Sequence, residues 1–381
     1  MEIKKLYEIL NFDKRFNGVD KEKQEQVLKF KHCSAEMLKS ITQDKNGNIK
    51  LLSTGNFEGY TTEDNIEDTS LINCGEVITF PSGGTASIKY HNGKFIDSGN
   101  ILASSKDNTK INLKYVYYSL LNTNQDIQAL YRGSSIQHPS MSEIIELSLP
   151  LPPLSTQLAI VDVLDKFTEL EKELEKELEM RKLQYQYYRD KLLTFTEEER
   201  EKWGVREVMI GECCEVLTGG EVPDDCIKGQ KEADEIYKYP VYTNGVEVYG
   251  YSSKYRVDKK AVTISSIGNV GYVAYRDEKF FPAIRLKVII PKDTDIDTKY
   301  LYYIVQCIKF TGTNSSLSSM NSNDVKKYEI QIPTLTRQKE IVEILDKFDT
   351  LVNDISKGLP REIELRRKQY EYYRDRLLRF N

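Results

Sequence analysis

One long motif occurs twice in this chain, and the duplication constrains the fold more than any other feature. Leu154-Ser-Thr-Gln157-Leu-Ala-Ile160-Val161-Asp-Val-Leu164-Asp165-Lys166-Phe167 returns, shifted by 181 residues, as Leu335-Thr-Arg-Gln338-Lys-Glu-Ile341-Val342-Glu-Ile-Leu345-Asp346-Lys347-Phe348. Farther on, Arg181-Lys-Leu-Gln184-Tyr185-Gln-Tyr187-Tyr188-Arg189-Asp190-Lys-Leu192-Leu193-Thr-Phe195 returns as Arg366-Arg-Lys-Gln369-Tyr370-Glu-Tyr372-Tyr373-Arg374-Asp375-Arg-Leu377-Leu378-Arg-Phe380; 18 of these 29 paired positions are identical. A chain of 381 residues has room for two domains with their own cores, so the repeat reads as two halves that each end in the same kind of element.

That element is a long helix. Pro150, Pro152 and Pro153 close the segment before it, with Ser155 or Thr156 as the expected N-cap; Pro333 and Thr336 hold these places in the second copy. Ile160, Leu164, Phe167, Leu170, Leu174 and Leu178 then recur every three or four residues, as do Ile341, Leu345, Phe348, Val352 and Ile355. Roughly 40 residues of helix extend about 60 Å and cannot bury such a stripe alone, so the two copies are expected to pair antiparallel about a pseudo-twofold axis. Gly358-Leu-Pro360 should break or kink the second copy.

The segments before the helices are related more faintly. At a shift of 185, Val77, Gly83, Tyr90 and Phe95 meet Val262, Gly268, Tyr275 and Phe280, and Lys114-Tyr-Val-Tyr-Tyr118 meets Lys299-Tyr-Leu-Tyr-Tyr303. Short runs such as Val77–Phe80, Ala261–Ile264 and Leu286–Ile290 predict strands, and 113–121 and 298–308 predict helices. The expected fold is α+β: two mixed α/β domains, 1–150 and 197–334, separated and joined by two long antiparallel coiled-coil helices, 151–196 and 335–381. No apolar run is long enough for a membrane span and the start lacks a signal peptide's apolar core, so the expected location is cytoplasmic.

A catalytic centre does not assemble from these residues. There is no phosphate-cradling G-x-x-x-x-G-K-[ST], no G-x-G-x-x-G and no Asn-Pro-Pro-Tyr segment. Six cysteines and three histidines show no zinc spacing, so no metal is expected. Pro223-Asp224 with Asp277-Glu-Lys279 is too loosely spaced for a nuclease, Cys213-Cys214 lacks a histidine anywhere in its half, and His91 and His138 read as loop residues.

The loops offer donors and glycines instead. Ser53-Thr54-Gly-Asn56, Ser82-Gly-Gly-Thr85 and Arg132-Gly-Ser134-Ser135-Ile-Gln137 lie in the first half. The second has Thr218-Gly-Gly220, Tyr242-Thr243-Asn244-Gly, Ser265-Ser266-Ile-Gly-Asn269 and Asn314-Ser315-Ser316. Such segments suit a nucleic-acid backbone and base edges, although plain turns need the same residue types. The net charge of −5 does not decide the matter, because binding depends on where charge lies, and the acid is densest in Glu169–Glu179 and Glu197–Glu201, in or beside the repeated helix.

Over essentially its whole length the chain resembles the specificity subunits of type I restriction-modification systems. The resemblance is carried by Leu149-Pro-Leu-Pro-Pro-Leu-Ser-Thr-Gln157, Ile160 to Phe167, Tyr187-Tyr-Arg-Asp-Lys-Leu-Leu193, their second copies, and Tyr239-Pro-Val-Tyr-Thr-Asn-Gly245. It implies two target recognition domains, each reading half of an asymmetric bipartite site in double-stranded DNA, with the helices setting the gap. It also implies docking of two modification (methyltransferase) subunits, joined by restriction subunits, on a helix seam placed at Ile160, Leu164, Phe167, Leu174, Tyr188, Ile341, Leu345, Phe348 and Tyr373. The chain itself would be non-catalytic and free of cofactor, with S-adenosylmethionine, ATP and Mg²⁺ on its partners. Two other readings are the recognition portion of a single-chain restriction or modification enzyme and a coiled-coil scaffold that binds only protein. A frame running from Met1 to Phe380-Asn381 is expected to be whole, which counts against the former.

Overall fold

The computed structural model describes residues 1–24, 27–310, 320–354 and 356–380. Its backbone falls into two compact units, Met1–Glu173 with Ile363–Asn381, and Leu174–Glu362. Each unit thus combines one mixed domain with the beginning of the helix that follows it and a stretch of the other repeated helix.

In unit 1 the elements are β1 (Glu2–Lys5), α1 (Leu6–Ile9), β2 (Leu10–Phe12), α2 (Ala35–Ser40), β3 (Ile49–Leu52), β4 (Glu58–Thr61), β5 (Asn73–Phe80), β6 (Lys89–Asp97), β7 (Ile101–Ser105), α3 (Leu113–Asn122), α4 (Asn124–Ala129), β8 (Tyr131–Arg132), β9 (His138–Pro139), α5 (Met141–Ile144) and β10 (Ser148–Leu151). Helix α6 (Leu154–Leu192) follows and continues into unit 2. The main sheet has the order β2-β7-β5-β6-β3-β4, antiparallel except for the parallel β3/β6 pair, while β1 pairs with β10. Ile78 and Phe80 enter the core with α3, and Val77 enters a second core with Leu52, Phe95 and Leu102. Both faces of β5 are covered, so its last four residues, Val77-Ile-Thr-Phe80, are all buried instead of alternating between core and solvent.

In unit 2 come α7 (Glu197–Trp203), β11 (Arg206–Met209), α8 (Ile210–Cys213), β12 (Cys214–Thr218), β13 (Ile227–Lys228), β14 (Tyr239–Tyr242), β15 (Gly250–Ser252), β16 (Ala261–Ile264), β17 (Val273–Arg276), β18 (Phe281–Pro282), β19 (Lys287–Pro291), α9 (Thr298–Gln306), α10 (Ser322–Lys326), β20 (Glu329–Ile332), α11 (Leu335–Asn353) and α12 (Leu359–Leu378), whose later part belongs to unit 1. The order β12-β19-β16-β17 reproduces β2-β7-β5-β6, and β11/β20 reproduces β1/β10. The units differ in what is added to this frame. Unit 1 extends it with β3 and β4, whereas unit 2 forms a separate sheet, β13-β15-β14-β18.

Identical joints fasten both frames to their helices. The Gln157 amide donates to the carbonyls of Pro152 (2.7 Å) and Lys110 (2.9 Å) and accepts from Asn112 N–H (2.8 Å). Gln338 donates to Pro333 (2.8 Å) and Asp295 (2.8 Å) and accepts from Asp297 N–H (2.8 Å). Both glutamines are fully buried. About two turns on, Asp165 accepts from Lys114 (2.7 Å) and Tyr118 (2.6 Å), and Asp346 from Lys299 (2.8 Å) and Tyr303 (2.5 Å). Burial and the adjacent carboxylate together push both tyrosine hydroxyls far above their ordinary pKa, which keeps them as donors. The expected hydroxyl caps are not what begins these helices: α6 starts at Leu154, its first amides bond to Pro153 O, and Thr334 precedes α11 without a side-chain cap bond.

The pairing of helix segments also repeats. In unit 1 Phe167 packs on Tyr370 and stacks on Tyr373 (5.4 Å), and Glu171 meets Arg367, so α6 and α12 run antiparallel. In unit 2 Phe348 contacts Tyr185 and stacks on Tyr188 (5.5 Å), the same contact with the partners exchanged. The first copy is one helix of 39 residues; the second is interrupted between Asn353 and Leu359. There a Cβ on Gly358 would lie 2.4 Å from Thr350 O, so glycine alone lets the chain fold back on the last carbonyls of α11. Among the described residues no helix is long and apolar enough to cross a membrane.

Candidate nucleic-acid interface

The loops singled out in the sequence gather mainly at one end of each frame, where β5 or β16 finishes and β7 or β19 begins. The helix joints lie beyond the other end of β7 and β19. In unit 1 the His138 ring Nδ1 donates to Ser82 O (2.7 Å) and Gly84 N–H to Gln137 O (2.8 Å), tying the 82–85 turn to the β8/β9 hairpin. Gln128 completes the tie, donating to Gln137 (3.0 Å) and accepting from Ala86 N–H (2.7 Å). Thr85, Ser134 and Ser135 are exposed, Ser82 is half-buried, and the exposed Arg132 is engaged by Glu143 (2.8 Å). A groove of about 420 Å³ runs between this hairpin and Arg15, Phe16 and Asn17.

Ser53 behaves differently from the expectation. It is buried, and its hydroxyl donates to Gly55 O (3.0 Å) and Phe57 O (2.7 Å), so it shapes the turn instead of facing a ligand. Thr54 is half-buried and Asn56 exposed; Lys89 anchors this turn through the Ser53 and Gly55 carbonyls.

The 97–100 turn, absent from the expected site, is built around Asp97. This carboxylate accepts from Gly99 N–H (2.7 Å), Asn100 N–H (2.9 Å) and Asn100 Nδ2 (2.6 Å). His32 bridges it to Asp13, at 2.7 and 2.8 Å. Hydrogen bonds to these two acids raise the His32 pKa to about 9, so the ring is a cation at neutral pH. Residues 13, 32 and 97 are too far apart in sequence for any local pattern to have joined them.

In unit 2 Asn244, Ser265, Ser266 and the 218–220 turn meet around Ile284-Arg285. These two exposed residues are left-handed, with φ of +49° and +60°, which costs on the order of 1–3 kcal/mol each for side chains bearing a Cβ. Four bonds impose that conformation. Ile284 N–H donates to Gly220 O (2.7 Å) and Arg285 N–H to Gly219 O (3.1 Å), while Asn244 Nδ2 and Ser266 Oγ donate to Ile284 O (2.5 Å) and Arg285 O (2.8 Å). Gly219 permits the approach, since a Cβ there would come within 2.9 Å of Ala283 N.

Ser265 and Ser266 are therefore buried framework: Ser265 donates to Asn244 O (2.9 Å), and Ser266 N–H to Asn244 Oδ1 (2.7 Å). Tyr242 is likewise a wall, its hydroxyl donating to Glu278 (2.7 Å) and its ring covered by Arg276 at 3.5 Å. Thr218 and Thr243 are half-buried and Asn269 is exposed; Asn314, Ser315 and Ser316 lie outside the described residues. Sequence reasoning missed Ile284 and Arg285 because this turn contains none of the Gly, Asn or Asp that normally announce a left-handed backbone.

The helix seam also divides. Ile160 and Leu164 face the core of their own domain along with Leu378, and Ile341 and Leu345 face theirs. Phe167 and Phe348 make the helix contacts described above, Leu174 is buried, and Tyr188 and Tyr373 keep 37% and 39% exposure, leaving ring area available to a partner.

The family model of the type I restriction modification DNA specificity domain matches the chain twice, over residues 17–180 and 201–365. A chain of Mycoplasma pneumoniae named as a type I specificity subunit is 35% identical over 319 residues, covering 79% of this chain and 92% of its own length. The EcoR124I/EcoR124II specificity subunit of Escherichia coli is 36% identical over 311 residues, covering 73% and 74%. The crystal structure of a type I S subunit from M. genitalium superposes with a TM-score of 0.64 at 17% identity, over 100% of this chain and 96% of that one, a likeness of fold.

Proposed function

Because the chain belongs to the type I restriction-modification DNA specificity family, with two copies of its domain, we propose that each unit reads one half of an asymmetric, bipartite duplex target. Members of this family are the non-catalytic, DNA-recognising subunits of their systems. The observation that carries the reading is one frame used twice with different loops: the same four-stranded order, the same Gln and Asp joint, and unlike turns at the reading end. Different side chains at matched positions would select different bases, which accounts for two unlike half-sites. Helix α6, shared by both units, would fix the gap between them. The exposed rings of Tyr188 and Tyr373 and the surrounding helix surface would dock the modification subunits, which bring S-adenosylmethionine, with restriction subunits joining that complex.

Mapping methylated sites in a host that expresses the chain with its modification subunit tests this. Four residues inserted after Leu174 lengthen the helix by about 6 Å, close to two base-pair steps of about 3.4 Å. The expected result is a wider gap flanked by unchanged half-sites. A contiguous target, or half-sites altered by the insertion, would overturn the reading.

A further inference from the structure

Around Thr218-Gly219-Gly220 three cations converge without a carboxylate. Arg256 Nη1 donates to Thr218 O (3.4 Å), Lys287 Nζ donates to Thr218 Oγ1 (3.3 Å), and Arg285 is carried on the turn bonded to Gly219 and Gly220. Among the described residues none of the three forms an ion pair, and the undescribed 311–319 segment contains no acid. Lys287 is the telling member, because it is only 5% exposed. A buried ammonium is normally paired, since removing it from water is expensive. Here burial and the neighbouring Arg285 both lower its pKa. Its one hydrogen bond among the described residues is to a neutral hydroxyl. The Thr218 hydroxyl that accepts from Lys287 also shares a hydrogen bond with the Ser322 hydroxyl (2.6 Å), in which either oxygen can be the donor.

Convergent cations, one of them a buried ammonium without a carboxylate partner among the described residues, on a turn that contains two glycines, define an anion site. The over-determined left-handed turn holds Arg285 in place before any ligand arrives. We propose that Lys287, Arg285 and Arg256 form a subsite for a backbone phosphodiester of duplex DNA at the half-site read by unit 2. The inference rests on the DNA-reading function above and adds that these residues hold the backbone rather than read bases.

The test titrates the chain, assembled with its modification subunits, against duplexes carrying the mapped target at several salt concentrations. Arg256→Ala, Arg285→Ala and Lys287→Met should each weaken binding and each reduce the slope of log K against log salt by about one. The loss should be equal for targets substituted at any base. Lys287→Met should also raise the thermal midpoint of the free chain, because it removes an uncompensated buried charge, and the two exposed arginines provide variants that spare the core. An unchanged slope in all three overturns the subsite, as does a loss confined to one base pair, which would make these residues base readers. A midpoint raised by inorganic phosphate in the wild type alone, with the DNA slope unaltered by the variants, would mark an ion site and also overturn it. If the wild-type assembly shows no salt-dependent binding to its target, it is the proposed function that fails.

Discussion

The turn leading into β7 in unit 1 is Asp97-Ser98-Gly99-Asn100, and glycine supplies its left-handed residue at φ +90°. The matching turn before β19 in unit 2 is Ala283-Ile284-Arg285-Leu286, where an isoleucine and an arginine are forced into that conformation. Unit 1 stabilises its turn from within, through Asp97 and the His32 bridge; unit 2 does so from outside, through Asn244, Ser266 and the 219–220 backbone. At the other end of the same strands, the two units use the same atoms at nearly the same distances. A buried amide that must satisfy three backbone groups leaves no latitude, whereas a turn facing water can be held in several ways. The difference teaches where this fold can change its specificity without losing its attachment to the helices.

If the joints are equivalent, they should fail equally. Gln157→Leu would strand Asn112 N–H and the carbonyls of Lys110 and Pro152, and Gln338→Leu would strand Asp297 N–H and the carbonyls of Asp295 and Pro333. At about 1–3 kcal/mol for each unsatisfied buried group, partly relieved by water, each variant should lose about 4 kcal/mol. Amide exchange of α3 would report the first and that of α9 the second. The single tryptophan, Trp203, stacks under Arg337 in unit 2, so its fluorescence should register the Gln338 variant more than the Gln157 one. A cost near zero in one unit would break the equivalence.

Smaller, and confined to unit 1, is a dependence on pH. His32 binds its proton more tightly folded than unfolded, so its bridge contributes in full below about pH 6.5 and is lost as pH rises through about 9. The difference is worth about 3 kcal/mol as an order of magnitude. The protection of β7 amides relative to their intrinsic, base-catalysed exchange should fall between those pH values, and His32→Gln should abolish that extra dependence. Unit 2 has no histidine, so β19 offers the internal control. Equal loss of protection in β7 and β19 would show that the bridge is not the cause.

How far such features could be foreseen varies by element. The helices and the strands β5, β16 and β19 were legible because periodicity and local β-branched runs express them, and Gly358-Leu-Pro360 announced the break that occurs. Gln157 and Asp165 were visible as repeated residues, but nothing local says that Gln157 meets a backbone amide 45 positions away. The apolar stripe looked like a seam between helices, whereas Leu164 and Leu345 serve mainly the domain cores. Of the candidate loop residues, composition located the turns but not the direction of their side chains, hence Ser53, Tyr242, Ser265 and Ser266 point inward and Arg285 went unnoticed.

The smallest effect concerns a charged contact between paired helix segments that the repeat does not reproduce. Glu171 accepts from Arg367 in unit 1, but the repeat places buried Val352 and exposed Lys182 at the corresponding positions of unit 2. Arg367 is half exposed, so the pair should contribute no more than about 0.5 kcal/mol and fade as salt screens it. Glu171→Gln should therefore shift the unfolding midpoint of unit 1 slightly at low salt and not at all near 1 M. Phe167→Ala, which empties the stacked contact with Tyr373, should cost several times more under both conditions. If the glutamate proved the larger of the two, unit 1 would be held to its second helix by charge and unit 2 by apolar packing. The exchange of Phe167 and Phe348 between equivalent tyrosines would then be a resemblance of geometry without a shared energetic basis.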